Sequence, residues 1–424
     1  MVCFIFFSWS IGFATDPLDN WQVRNSGTTN WLRAVAYGDG KFVAAGPGSG
    51  PSLTSTVLYS TDGKNWTSEN TSVFFNDATL GLDFLNNVFI ATGYNSGIVT
   101  SPDGLTWTMR YGGITDYADN YWFFQTAYGD GMYIAAATSN LLMSQDLVTW
   151  TEIPGAAGLE FNSIMYANGT FIATLYNPTP TGYGYGIYTS SNGKTWRFSF
   201  TNELNSFAFG NGKFVGVGNG GVIIYSADAV TWFSANSGTT SDLQRIIFAE
   251  NIFLAVGSNG TIISSPDGIN WTSHISGLSS LLSGVIYGNN SFVVVGENGT
   301  IIQASVYEEV AIDIEPWFKP NIIDWKFKWP PIPVAILSKP AFDAPKMIDG
   351  ASLTFGDEGN ENSLAFCSPL FIDVNGDRLR DLICFFYTGK TSFLCGDTEG
   401  ILKGKTKDGT PIEGSDSVKI VPCK

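Results

Sequence analysis

A unit of roughly forty residues recurs along this chain, and that period limits the fold more than any other feature. Each copy passes through an aromatic, a Gly- or Asn-rich turn, an apolar run, a second Gly-rich turn and a segment spelled Ser-x-Asp-Gly-x-x-Trp. Clear copies of that segment are Ser60–Trp66, Ser101–Trp107 and Ser265–Trp271. Weaker ones run from Ser144 through Asp146 to Trp150, from Ser191 through Gly193 to Trp196, and from Ser226 through Asp228 to Trp232. The unit starts seven times, at Tyr37, Phe84, Tyr128, Tyr166, Phe209, Phe248 and Tyr287. One such unit has too little apolar surface to fold alone, so the copies must pack on one another as a propeller or an array.

Within a unit the strands alternate with turns. An apolar strand precedes each aromatic start, as in Leu32–Tyr37, and a second follows, as in Phe292–Val295. Turns such as Gly218-Asn219-Gly220 and Glu297-Asn298-Gly299 supply the positive φ angles that tight connections need. A third strand leads into the Asp-Gly turn, and the Trp opens a short fourth. The seventh unit stops at Ile301–Ser305 with no Trp, whereas Asp19–Val23 is a strand with no unit of its own. The expected fold is all-β: a seven-bladed β-propeller over residues 15–305, closed by this N-terminal strand, plus a β-rich C-terminal domain over 306–424.

Composition narrows the partners. The chain carries 22 Lys and Arg against 38 Asp and Glu, a formal net charge of −16. Nucleic acid and anionic lipid both require basic clusters, which this balance argues against. The opening Met1–Ala14 is apolar, too short to span a bilayer, and resembles a secretory signal with a small-residue cleavage site; no other segment is a candidate span. The expected location is therefore secreted, extracellular or periplasmic. Of five cysteines, Cys367, Cys384, Cys395 and Cys423 cluster near the C-terminus. In an exported module they read as two disulfides with three possible connectivities; a zinc site is the rival, without a C-x-x-C spacing.

In the turn, the Asp accepts backbone N–H groups, the Gly takes a left-handed conformation and the Trp packs between blades. The spelling resembles the Asp-box (BNR) repeat of sialidases, sortilin-type receptors, xyloglucan-active glycosidases and photosystem II assembly factors. The resemblance covers Trp21 to Ser305. It implies that Asp62, Asp103 and Asp267 lie in turns remote from any active site. A sialidase of that family needs three convergent arginines with a tyrosine nucleophile, and no such set is legible. A xyloglucanase-like enzyme needs two carboxylates across a cleft, for which Asp83, Asp116 and Asp119 are the candidates. His274, the lone histidine, follows a box Trp and reads as a surface residue.

The remaining candidates are for binding. Arg33 and Arg245 fall on first strands near the expected channel, where they either bind an anion or pair with a neighbouring carboxylate. Insertions at 46–56, 110–122 and 176–185 fall in connections that share one end of a propeller. They carry Asp116, Tyr117, Tyr183 and Tyr185, the usual material of a recognition surface for sugars or proteins; neutral length variation is the other reading. The expected function is non-catalytic recognition of an extracellular glycan or protein, with a glycoside hydrolase as the alternative and an assembly chaperone as a third.

From Val310 the pattern changes. Val310–Pro316, Ile332–Leu337, Leu353–Gly356 and Cys395–Val418 resemble an accessory module at the C-terminus of many secreted bacterial and archaeal proteins. Inside it, Asp373, Asn375, Asp377, the Leu379 carbonyl and Asp381 have the spacing to wrap a structural Ca²⁺ ion, as in the short loops of dockerins; a solvated turn is the alternative. Arg378 stands where Gly is usual. Ile323, Trp325, Phe327 and Trp329 alternate with polar residues, which gives a stripe either buried or able to stack on sugar rings.

Overall fold

The computed structural model describes residues 17–48, 55–69, 79–93, 97–111, 122–138, 140–156, 158–175, 186–305, 307–324, 326, 330–407 and 410–422. The chain divides into two compact units, Leu18–Ala304 and a second that comprises Ser305–Lys424 with Met1–Pro17. Among the described residues no helix is long and apolar enough to cross a membrane.

Among the described residues the larger unit is a propeller whose sheets number seven, each four-stranded and antiparallel. Blade one is typical: Ala34–Gly38, Lys41–Gly46, Thr56–Ser60 and Thr67–Glu69 pair in sequence order from the axis outward. The order is local because each strand is joined to the next by a short turn. Blade seven differs. Its strands Leu282–Gly288, Ser291–Gly296 and Ile301–Ser305 are completed by Gln22–Val23, with Gln22 opposite Gln303 and Val23 opposite Ile302. Innermost strands are neighbours all the way round, and Leu282–Gly288 lies beside Ala34–Gly38. The N-terminal strand therefore covers the edge of Ile301–Ser305 and leaves blade seven, like the other blades, with only a short outer strand as its edge.

Two interlocks hold blade to blade. One is apolar: second and third strands are buried almost throughout, with Phe42, Phe89, Phe171, Phe214, Phe253 and Phe292 fully enclosed. The other needs glycine. A Cβ on Gly38 would sit 2.2 Å from the Phe84 ring of the next blade, and one on Gly288 would sit 2.2 Å from the Tyr37 ring across the closure. Phe84 and Tyr37 thus lie flat on the preceding blade, which accepts them at Gly38 and Gly288 because no side chain is there.

The closure is further tied by polar contacts. Arg24 Nε donates to Gln303 Oε1 at 3.0 Å, and Gln303 Nε2 donates to the Asp62 carbonyl at 3.0 Å, linking blade seven to blade one. His274 is buried, contrary to its expected surface position. One ring nitrogen lies 2.9 Å from Asp19 Oδ1 and the other 2.7 Å from Ser264 Oγ. Asp19 precedes the closing strand by a few residues, so this contact fastens the start of the propeller onto blade six.

Among its described residues the second unit holds two four-stranded sheets and a two-stranded one. One four-stranded sheet orders Glu308–Glu309, Pro411–Ser417, Glu399–Thr406 and Ile348–Gly356. The other orders Ile312–Ile314, Ile332–Ile336, Leu382–Phe386 and Leu364–Cys367. Ile314, Val334, Ile336, Phe355, Phe386 and Leu402 form the centre of its core. Cys367 and Cys384, opposite one another on adjacent strands, form a disulfide. Cys395 is also disulfide-bonded, and Cys423 lies outside the described residues. Ile322–Asp324 pairs with Lys419–Val421, and Ile323 points inward; Trp325, Phe327 and Trp329 of the predicted stripe lie outside the described residues.

Candidate functional site

The repeated aspartates are committed to their own turns. Asp62 Oδ1 accepts the N–H groups of Lys64 and Asn65, each at 2.8 Å, and the Ser60 hydroxyl at 2.9 Å. Trp66 Nε1 donates to the Gly63 carbonyl at 2.9 Å, which fixes the indole over the turn. Asp103, Asp146, Asp228 and Asp267 accept the same backbone bonds, though Trp232 after Asp228 donates to Ser199 Oγ instead of the turn carbonyl, and Asn192 takes the same place in blade four, accepting from Lys194 and Thr195 N–H at 2.9 Å. Leu147 and Ala229 adopt the left-handed conformation that Gly supplies elsewhere, with φ of 63° and 60°. Such bonds favour the charged carboxylate. The N–H groups of Thr149 and Val148 hold Asp146 down at about 2, and those of Thr231 and Val230 do the same for Asp228. For Asp62, burial opposes ionisation, but the donors of Asn65, Lys64 and Ser60 outweigh it and leave the carboxyl at about 2. Groups so occupied and so acidic make poor proton donors near neutral pH.

The axis encloses a cavity of about 410 Å³, lined by innermost strands; its walls include Val35, Leu82, Phe207, Ile246 and Val285. Innermost strands pair on one edge only, so their inner N–H groups need other acceptors. Side chains of the preceding blade provide them, Asp83 from one residue before its blade's aromatic and Gln125 and Ser206 from three before theirs. Asp83 Oδ2 accepts Thr126 N–H at 3.0 Å, Gln125 Oε1 accepts Ile164 N–H at 3.4 Å, and Ser206 Oγ accepts Ile246 N–H at 3.3 Å. Asp83 also accepts the Thr126 hydroxyl at 3.0 Å. Burial pushes the Asp83 carboxyl up, and the Arg245 charge and the Thr126 and Gln125 hydrogen bonds pull it back. Asp83 is the one carboxylate among the described residues that line the cavity.

The two arginines, both on first strands, occupy different positions: Arg33 stands four residues before Tyr37 and Arg245 three before Phe248. Arg245 is paired with Val256 within its strand and faces the cavity. Arg33 precedes the first paired residue of blade one, a place that Leu80, Phe124, Asn162, Gln244 and Ser283 fill as bulged residues in other blades. Its guanidinium lies 4.0 Å over the Trp31 ring, and its buried Nε has no hydrogen-bond partner. Trp31 Nε1 donates to Ser283 Oγ at 2.6 Å, which seats the indole across the join of blades one and seven. Nearby Asn30 Nδ2 donates to Thr56 Oγ1 at 2.7 Å, so this pair sits at the end where the 46–56 connection emerges. Asp116, Asp119, Tyr117, Tyr183 and Tyr185 lie outside the described residues.

In the smaller unit the predicted cation loop satisfies itself. Asp373 accepts the N–H groups of Gly376, Asp377 and Arg378 at 2.7, 3.1 and 2.8 Å. Arg378 does adopt a positive φ of 72°. Asp377 Oδ1 accepts Leu379 N–H at 2.8 Å, and Asn375 Nδ2 donates to Asp377 Oδ2 at 3.1 Å. Asp381 is fully buried and divides its oxygens between Ser338 and Val374 N–H, each at 2.8 Å. Among the described residues no three His, Cys, Asp or Glu side chains gather closely enough to hold a metal ion.

No protein-family model and no curated protein matches the chain. Solved structures do. The chain is similar to YCF48 bound to D1 peptide, at 16% identity over 67% of this chain and 95% of that one, with a TM-score of 0.54. It is similar to catalytically inactive virginiamycin B lyase from Staphylococcus aureus with quinupristin, at 11% identity over 67% and 98%, TM-score 0.55. It is also similar to the WD40 β-propeller domain of Doa1, at 13% identity over 67% and 96%, TM-score 0.51. At such identities the likeness is one of fold: the chain is a β-propeller protein.

Proposed function

We propose that this is a non-catalytic binding protein that recognises a polypeptide partner at the propeller end bearing the 46–56, 110–122 and 176–185 connections. The observation that carries the reading is the Arg33–Trp31 pair. A guanidinium stacked on an indole, with an unpartnered Nε, has the composition of an interface anchor. The stack is held in place by Ser283, so little ordering entropy is lost on binding. YCF48, a propeller similar to this one, is described as bound to a D1 peptide, which supports a polypeptide over a glycan. Hydrolysis has less support: two facing carboxylates are required, and the described cavity wall offers Asp83 alone. The apolar opening and the cysteine cluster support an exported protein. Calcium in the 373–381 loop stays a proposal of its spelling.

The test is affinity selection from a random peptide library displayed on phage, run beside an immobilised glycan panel with product analysis. The expected result is enrichment of peptides whose affinity falls by about tenfold or more in Arg33→Ala, a loss of at least ~1.4 kcal/mol. Glycan capture or cleavage without peptide enrichment would overturn the proposal.

A further inference from the structure

The axial cavity holds two opposite charges that do not touch. Arg245 comes from blade six and Asp83 from blade two, on separate sectors of the ring. They act on each other through their field, yet are too far apart to form an ion pair. Among the described residues Arg245 makes no hydrogen bond and no ion pair, so its guanidinium has five donors free. Asp83 Oδ2 accepts two bonds from Thr126 at 3.0 Å, and the carboxylate also accepts from the Gln125 side chain. The wall around the two groups is mixed: Gln125 and Ser206 line it together with the edges of Val35, Leu82, Ile246 and Val285, whose side chains are largely buried.

From this arrangement we infer a small-ligand site in the channel for a zwitterion of the α-amino-acid class, with its carboxylate on Arg245 and its ammonium on Asp83. A simple anion would meet Arg245 but be repelled by Asp83, and a simple cation would meet the reverse. Only a molecule carrying both charges satisfies both groups without leaving a buried charge unpaired. Ligand pockets span roughly 300–1,000 Å³, and a cavity of about 410 Å³ suits a molecule of this size. The aliphatic edges on the wall leave room for an aliphatic side chain on it. This site is separate from the Arg33–Trp31 anchor and stands or falls without it.

The test is isothermal titration calorimetry of the full chain against the twenty L-α-amino acids. For leucine the controls are 4-methylpentanoate, which lacks the ammonium, and 3-methylbutylamine, which lacks the carboxylate. The expected result is one-to-one binding of an apolar member at about 1 mM or tighter, with its single-charge analogues about tenfold weaker or worse. Arg245→Met and Asp83→Asn are each expected to weaken it by a similar factor. Asp83→Asn retains an acceptor for Thr126; should it still fail to fold, Arg245→Met together with the analogues decides. Absence of binding by every amino acid at 10 mM (roughly the weak limit of such measurements), or binding that Arg245→Met leaves unchanged, would overturn the inference.

Discussion

Replacing Asp103 by alanine removes an acceptor used by four donors: Thr106 N–H at 2.7 Å, Leu105 N–H and Ser101 Oγ at 2.9 Å, and Thr106 Oγ1 at 3.2 Å. Losing a comparable side-chain cap costs 0.5–2 kcal/mol, and about 1.5 kcal/mol is expected for Asp103→Ala at pH 7. Burial works against ionisation of Asp103, but the Thr106, Leu105 and Ser101 donors outweigh it and hold the carboxyl at about 2. A fall from 3.8 to about 2 corresponds to roughly 2.4 kcal/mol before screening. Because the carboxyl is open to water, about 1 kcal/mol survives. The folded value is the depressed one. This stabilisation is therefore complete above pH 4 and is lost as pH falls from about 4 towards 2. Asp103→Asn should cost only about 0.5 kcal/mol, since an amide oxygen can still accept the two N–H groups, as Asn192 does at the same place in blade four. The assay is urea unfolding followed by tryptophan fluorescence at pH 7, 4 and 2.5. Destabilisation by alanine should shrink towards the asparagine value at the lowest pH. An Asp103→Ala protein as stable as the parent at pH 7, or a gap that does not change with pH, would refute the turn-carboxylate argument.

Three further outcomes are expected. Gly288→Ala places a methyl group inside the Tyr37 ring across the ring closure; a loss of about 3 kcal/mol or more in urea is expected, whereas Gly277→Ala, with open space around its Cβ, should cost only what its positive φ imposes. His274→Ala strands the buried Ser264 and unfastens Asp19; about 2 kcal/mol should be lost, and faster proteolysis before residue 24 should accompany it. For the 373–381 loop, calcium binding as proposed would raise the melting temperature in millimolar CaCl₂ over EGTA and be abolished by Asp377→Ala. Equal melting curves in the two solutions would reject calcium there.

The sequence announces the ring because every blade repeats the same local chemistry: an aromatic, a positive-φ turn, and an Asp that closes its own loop. Such features lie within a few residues of one another, and even Gln22–Val23 was legible as a strand without a blade. The contacts that give the candidate sites their geometry are of another kind. Arg33 and Arg245 both read as channel residues, but they differ by one position relative to their blade's aromatic, and a one-residue difference turns a side chain from cavity to rim. His274 reads as exposed since its partner Asp19 is 255 residues away; only ring closure brings them together. Asp83 breaks an apolar strand pattern and so was visible, yet its purpose was not, because the Thr126 N–H it caps belongs to the next blade.

The central claim is that the turn aspartates build the wheel and take no part in what it does. It is tested most directly by changing Asp62, Asp103, Asp146, Asp228 and Asp267 to asparagine together, then measuring the affinity of a selected peptide by calorimetry at a temperature where the protein remains folded. The account predicts a lower unfolding midpoint with an unchanged dissociation constant. A folded variant that no longer binds would contradict it.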